Sequence, residues 1–279
     1  MSDQVPGDLL EIADALVPGA ALGTARLAKG GMHDVVLLPG VAAVRVSRRP
    51  RGAEELPRRT ELLRVIGAAG LPFAVPQPLT PVRTFGNRAA VAVSWLDGAG
   101  LPEGQGDPAR IGELLQALRE LPVTPELRAA LPAARDHDWA RILADEVVPR
   151  FPAKWRAEGR RRLEAAVALE PVPDALVHGD LCGGNVLWGA HGKLVGVLDW
   201  DRAHLFDPAI DAAFMSWHGW DTLRRAVDGE TYRRARVWED TFGVDHLVAV
   251  LELGGRPLAG VDSYVEHIVA WLEQDAARA

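Results

Sequence analysis

The sequence is poor in the residues that would place it in several large protein classes. Among 279 residues there is a single cysteine, Cys182. An internal disulfide is therefore excluded, and a cysteine-based zinc site is not expected. A reducing, cytoplasmic setting is the simple expectation. No apolar run approaches the roughly 20 residues that cross a bilayer. The acidic, mixed N-terminus does not look like a secretion signal, so no membrane partner is expected. There is no internal repeat, no low-complexity tract and no G-x-x-x-x-G-K-[ST] loop, which removes support for a P-loop NTPase. His33, His137 and His191 have no metal-ligand spacing, and no His-x-x-x-His occurs. The arginine clusters at 48–51, 58–59 and 160–162 are short, lack interleaved aromatics and sit in a chain of net charge −7. Solvated faces explain them better than a nucleic-acid partner does.

What remains is ordinary globular material, 48% hydrophobic and 25% charged. The length suffices for one large domain or two lobes with real cores. Charge is uneven. Residues 1–98 carry 11 Lys/Arg against 9 Asp/Glu, while residues 99–279 carry 20 against 29. An anionic ligand would be drawn to the first part and a cationic one to the second, although the halves of an acidic chain also differ by chance.

Hydrophobic periodicity predicts a short helix over 6–18. Strands follow at Gly23–Ala28, Val35–Leu38 and Val41–Val46, separated by Gly-Gly and Pro-Gly. A helix is predicted over Glu54–Ala69, then a hairpin of Val82–Phe85 and Ala89–Trp95 around Gly86-Asn87. Leu96–Pro108, rich in Gly, Pro and acid, reads as a linker. Beyond it Arg110–Glu120, Trp139–Val148, Lys154–Leu169, Ala209–Trp220, Asp221–Val227, Thr231–Val250 and Asp262–Ala277 are helical in pattern. Val177–Asp201 reads as loop and hairpin. The expectation is an α+β chain with two lobes: residues 1–98, a small sheet with one helix, and residues 99–279, mainly helical. That is the order of kinase lobes.

One run concentrates chemistry. His178-Gly179-Asp180-Leu181-Cys182-Gly183-Gly184-Asn185 has the form H-x-D-x-x-x-x-N, and the apolar strand Leu194–Leu198 ends in Asp199. Phosphoryl transfer needs a carboxylate to orient or receive the proton of an attacking hydroxyl. It also needs an amide oxygen and a second carboxylate to hold Mg²⁺ against the phosphates. Asp180, Asn185 and Asp199 supply these in order. A lone His-Gly-Asp is more often a turn, and the three residues together carry the reading.

The stretch His178–Asp211 resembles the aminoglycoside phosphotransferase family, whose pattern runs HGD-x-x-x-x-N, I/V-D-W, G-D-P-x-x-D. Here it reads HGDLCGGN, VLDW, FDP and AID, with Phe206 where the family commonly has Gly. The viomycin and capreomycin phosphotransferases share its size, the His-bearing Gly loop before Val-Val and the Val75-Pro76-Gln77-Pro78-Leu79 stretch. The resemblance implies a bilobal protein-kinase-like fold. It implies Asp180 as catalytic base, with Asn185 and Asp199 as Mg²⁺ ligands and Asp207 and Asp211 as braces of the loop. The donor would be ATP or GTP. The acceptor would be a cationic antibiotic, either an aminoglycoside or a cyclic peptide. A metabolite kinase of the same fold, for choline, homoserine or a sugar amine, and a non-catalytic nucleotide-binding module stay open as alternatives.

Other candidates follow the same logic. Lys29-Gly30-Gly31-Met32-His33-Asp34 lies between two strands, where glycines let backbone N–H groups approach phosphate oxygens, although Gly-Gly also makes a plain hairpin. Arg45 is the only cation on the third strand and, by resemblance, stands where most relatives carry Lys. Glu61 is its helix partner by resemblance, with Glu55 as runner-up. Ser94-Trp95-Leu96 is the hinge by resemblance, and plain core is the other reading of Trp95. For the acceptor, Asp201, His204, Glu239, Asp240 and Asp245 are candidates, because carboxylates pair with cationic ligands in a cleft.

Overall fold

The computed structural model describes residues 4–30, 32–132, 138–251, 258 and 260–278. Along the chain come α1 (Gly7–Leu16), β1 (Arg26–Lys29), β2 (His33–Leu38), β3 (Ala42–Ser47), α2 (Pro50–Gly67), β4 (Arg83–Phe85) and β5 (Arg88–Ser94). Next are α3 (Pro108–Glu120), α4 (Pro125–Ala130), α5 (Trp139–Ile142), α6 (Ala153–Val167), β6 (Ala175–Val177), β7 (Val186–Trp188), β8 (Leu194–Val197) and β9 (His204–Phe206). The last five are α7 (Ala209–Phe214), α8 (Trp220–Ala226), α9 (Gly229–Asp240), α10 (Val244–Leu251) and α11 (Val261–Arg278). Among the described residues no helix is long and apolar enough to cross a membrane.

Two compact units emerge. Unit 1 comprises Met1–Gly100, Thr124–Leu131 and Gly184–Asp201; unit 2 comprises Leu101–Val123, Pro132–Gly183 and Arg202–Ala279. The α+β class expected from the sequence holds, with the sheet in unit 1 and most helices in unit 2. The expected boundary at 98/99 is crossed twice by later chain. Segment 124–131 returns because α4 packs on α2. Segment 184–201 returns because β8 pairs with the loop before β4, at Ala74↔Gly196, and β7 pairs with Ala99. Neither return has a local sequence signal.

The unit 1 sheet is antiparallel in the order β1-β2-β3-β5-β4. Strand alternation assigns its faces. Val36, Leu38, Val44, Val46, Ala90 and Ala92 turn to one face, where α1 covers them with Leu9, Ile12, Ala13 and Leu16. Val35, Leu37, Ala43 and Arg45 turn to the other and line a cavity. The register Val35↔Arg45↔Val91 seats Arg45 in the middle of three strands.

α2 begins at Pro50, four residues before the expected start at Glu54. Proline at a helix's first turn has no N–H to lose and its φ is already helical, so it starts the helix. The Val75–Leu79 stretch lies against β5. Gln77 accepts the Ser94 N–H at its backbone carbonyl, its own N–H donates to the Ser94 Oγ, and its side chain donates to the carbonyls of Leu63 and Val75. Gly67 leaves room for that side chain, since a Cβ there would fall 1.7 Å from the Gln77 amide nitrogen and push it off these carbonyls.

In unit 2 the expected single helix over 231–250 is two. The chain breaks at Phe242 and Gly243, whose φ angles are 70° and 82°. Burying the Phe242 ring edge-on against Phe151, centroids 5.4 Å apart, offsets the left-handed strain at a non-glycine residue. Trp139–Val148 is also not one regular helix. One α-turn gives way to a π-helical stretch at 143–147 and then a 3₁₀ turn containing Pro149.

Candidate active site

The unit 1 cavity holds about 380 Å³. Its walls are apolar residues of the sheet together with Pro76, Leu96, Leu187 and Leu198. Its polar groups are Lys29, Arg45, Ser94, Asn185, Asp199 and Asp201. Gly30, Met32 and His33 of the glycine loop line it, whereas Gly31 lies outside the described residues. Ser94, Trp95 and Leu96 also line it. Trp95 is partly exposed on the cavity wall and does not belong to the buried core.

Asn185 and Asp199 are brought together on this wall by the β7–β8 hairpin, and the Leu198 N–H donates to the Asn185 carbonyl at 2.8 Å. Asp199 has φ +53°, a left-handed conformation uncommon outside glycine. The turn it makes brings the Asp201 N–H onto its carboxylate. Desolvation in the concave wall raises the Asp199 carboxyl above its usual range, and the Asp201 charge adds to that.

Asp201, expected among the acceptor-binding acids, lies in the unit 1 cavity and is paired with two arginines. Its carboxylate, 15% exposed, accepts from Arg45 at 2.5 Å and from Arg59. Burial acts to raise it, but Arg45, the His33 ring and Arg59 together hold it far below the normal carboxylate range. Burial likewise acts to lower Arg45, and the charges of Asp201 and Asp199 more than offset that. The expected Arg45–Glu61 pair is absent. Glu61 is on the solvent face of α2 and pairs with Arg64 at 2.5 Å, because it lies one position off the inward row of Leu56, Arg59, Leu62, Leu63 and Ile66. Glu55 bonds Arg59 instead. Arg59 was invisible as a site residue because Arg58-Arg59 reads as a solvated face.

Asp180 belongs to unit 2. Its loop follows β6 and is held from below by Asp211, whose carboxyl accepts the His178 N–H at 2.7 Å and the Gly179 N–H at 2.9 Å. Burial pushes Asp211 up to about 7, against the pull of those two donors. Gly179 has φ +76°, and a Cβ there would meet the Arg202 carbonyl at 2.9 Å. The guanidinium of Arg202, a residue the motif reading passed over, lies 3.9 Å from Asp180 and 3.4 Å from Asp245. Asp207 is buried and accepts from Arg234 at 2.6 Å and Trp238 at 2.7 Å.

Unit 2 has its own cavity of about 410 Å³. Glu103, Glu239 and Asp245 supply acid, Trp217, Trp220 and Trp271 supply aromatic faces, and Cys182 lies in the wall. Desolvation raises the Glu239 carboxyl, one oxygen of which accepts the Val244 N–H at 3.0 Å. The other three expected acceptor residues are elsewhere: Asp201 lines the unit 1 cavity, and His204 and Asp240 do not line this one. His204 is 4% exposed, turned inward by the alternation of β9 with its ring beside Phe206. Asp240 is off the cavity, because adjacent helix residues project about 100° apart. The tryptophans were missed since isolated Trp residues read as core.

Known proteins resemble this chain in sequence and in fold. The family model described as "Phosphotransferase enzyme family" matches residues 25–245. The viomycin phosphotransferase of Streptomyces vinaceus is 30% identical over 257 residues, covering 84% of this chain and 89% of that protein. Among solved structures, the GDP and kanamycin complex of APH(2")-IIia superposes with a TM-score of 0.75 at 20% identity, covering 97% of this chain and 98% of that one. A macrolide 2'-phosphotransferase type I superposes with a TM-score of 0.67 at 19% identity, covering 95% and 97%.

Proposed function

Because the chain belongs to the phosphotransferase enzyme family, we propose that it moves the terminal phosphoryl group of ATP or GTP to a hydroxyl of a cationic antibiotic. The observation that carries the nucleotide half is the unit 1 cavity. An apolar slot suited to a base opens beside the glycine loop, Arg45, Asn185 and Asp199. Asp180 orients the acceptor hydroxyl and receives its proton. Arg45 and the loop N–H groups seat the phosphates, so catalysis is positioning plus charge neutralisation.

The residues present fit Mg²⁺. Asn185 and Asp199 are hard oxygen donors on one wall, and no cluster of three or more His, Cys, Asp or Glu able to hold a metal exists among the described residues. Mg²⁺ is commonly held this way, by one or two protein groups, waters and substrate phosphates. When bound it neutralises charge on the phosphoryl oxygens.

The acceptor half is supported by the similarity to a viomycin phosphotransferase and by the acids and tryptophans of the unit 2 cavity. Carboxylates and aromatic faces both attract guanidinium and ammonium groups. A viomycin-type cyclic peptide is the first acceptor to test, with aminoglycosides next. Mass spectrometry after incubation with Mg²⁺ and nucleotide should find one added phosphoryl group on such a compound and none when Asp180→Ala replaces the wild type. That variant should still bind nucleotide. Transfer only to choline, homoserine or a sugar amine would refute the antibiotic half, and near-normal turnover by Asp180→Ala would refute the assigned base. Cys182, the only thiol, gives a second readout: a bound acceptor should slow its alkylation.

A further inference from the structure

We propose that Asp201 is a positioning residue of the nucleotide cavity, replacing with opposite polarity the strand–helix ion pair of kinases. The inference rests on reading the unit 1 cavity as the triphosphate site. In kinases the strand lysine is held by a glutamate carried on the helix. Here α2 brings an arginine. Arg59 points inward, 8% exposed, and donates to Asp201 Oδ2. Its other terminal nitrogen donates to Glu55, one turn earlier, at 2.6 Å. Arg45 on β3 donates to the same Asp201 oxygen at 2.5 Å, and His33 Nδ1 on β2 lies 3.3 Å from it. One carboxylate oxygen thus gathers groups from two strands and the helix.

The polarity follows from charge. Arg45 and Arg59 repel each other, and an acid between them is what lets both be held next to the cavity. Among the described residues Arg45 takes its carboxylate partner from the loop after β8, not from α2. Residue 201 also acts through its backbone, since its N–H donates to the carboxylate of Asp199. The group that steadies the phosphate-facing arginine and the group that steadies the metal-facing carboxylate therefore belong to one residue.

Asp201→Asn keeps the shape and the backbone N–H but removes the charge that binds both arginines. The first measurement is Mg-nucleotide affinity without acceptor, by displacement of a fluorescent nucleotide; steady-state kinetics follow. Asp201→Asn and Arg59→Met should each weaken nucleotide about tenfold while the acceptor KM stays within about twofold. The double variant should be no weaker than the worse single, since both remove one arrangement. Arg59→Lys should recover part of the loss. Glu61→Gln, on the outer face, should change nothing. If Asp201→Asn loses its fold by circular dichroism, the Arg59 pair of variants carries the test alone. Nucleotide affinity unchanged in Arg59→Met and in any folded Asp201→Asn, or multiplicative losses in the double variant, would overturn the inference. Those outcomes leave the cavity reading intact, whereas a wild-type protein that binds no Mg-nucleotide removes both.

Discussion

Replacing Asp211 by asparagine tests whether the loop that carries Asp180 is held from beneath by a titrating carboxyl. Asp211 is 2% exposed and accepts two backbone N–H groups, from His178 and Gly179, at 2.7 and 2.9 Å. An amide has one acceptor oxygen, so its NH₂ must face one of these donors. A buried donor left without an acceptor costs about 1–3 kcal/mol. The variant should therefore be less stable at neutral pH by about that amount. The pH dependence is the sharper readout. The carboxyl is pushed up to about 7 in the folded protein from an ordinary value of 3.8. Between those values the folded state holds a proton that the unfolded state has released. The stability this adds is fully present below about pH 4 and is lost as pH rises through about 7, with a limiting slope of about 1.4 kcal/mol per pH unit. Chemical denaturation of both proteins at intervals from pH 5 to 8 measures it. Wild type should lose stability across that window relative to Asp211→Asn, and kcat of the variant should fall by roughly tenfold to a hundredfold as Asp180 loses its support. Parallel stability profiles would show that Asp211 does not titrate there and would refute the argument.

Three further outcomes are expected. Asp207→Ala strips the carboxylate from buried Arg234, which is 5% exposed. Unpairing a buried charge costs about 3–5 kcal/mol, so denaturant midpoints should drop sharply; a loss below about 1 kcal/mol would mean the pair is solvated. Asp199→Gly relieves the left-handed backbone at φ +53°, so thermal stability should hold or rise by about 1 kcal/mol while turnover is lost, whereas retained turnover would remove Asp199 from the metal site. Glu239→Gln neutralises the acid that lines the unit 2 cavity. The KM for a cationic acceptor should rise about tenfold with nucleotide KM unchanged, and a change confined to the nucleotide would place Glu239 outside acceptor binding.

Local chemistry made much of this protein legible in its sequence. The H-x-D-x-x-x-x-N run and the strand ending in Asp199 needed no tertiary information, since the spacing of donors along one segment is itself the signal. Alternation in β2 and β3 and the helical rows of α2 and α3 depend on residues within a few positions of one another. What failed depended on partners far along the chain. The Arg45 partner lies 156 residues away at Asp201, and an acid there is indistinguishable in sequence from a solvated one. Glu61 looked right by order, and the rotation of α2 decided against it. The break at Phe242 came from a ring packing on Phe151, a contact across 91 positions that no window of sequence contains.

By itself, then, the order of residues determined which chemical groups this protein has and which short segments carry them, because backbone preference and motif spacing are local properties. Only the tertiary structure decided which charges meet, which face inward and which carboxylate titrates near neutrality. Pairing and desolvation are fixed by distances through space, and the chain writes no record of those along its length.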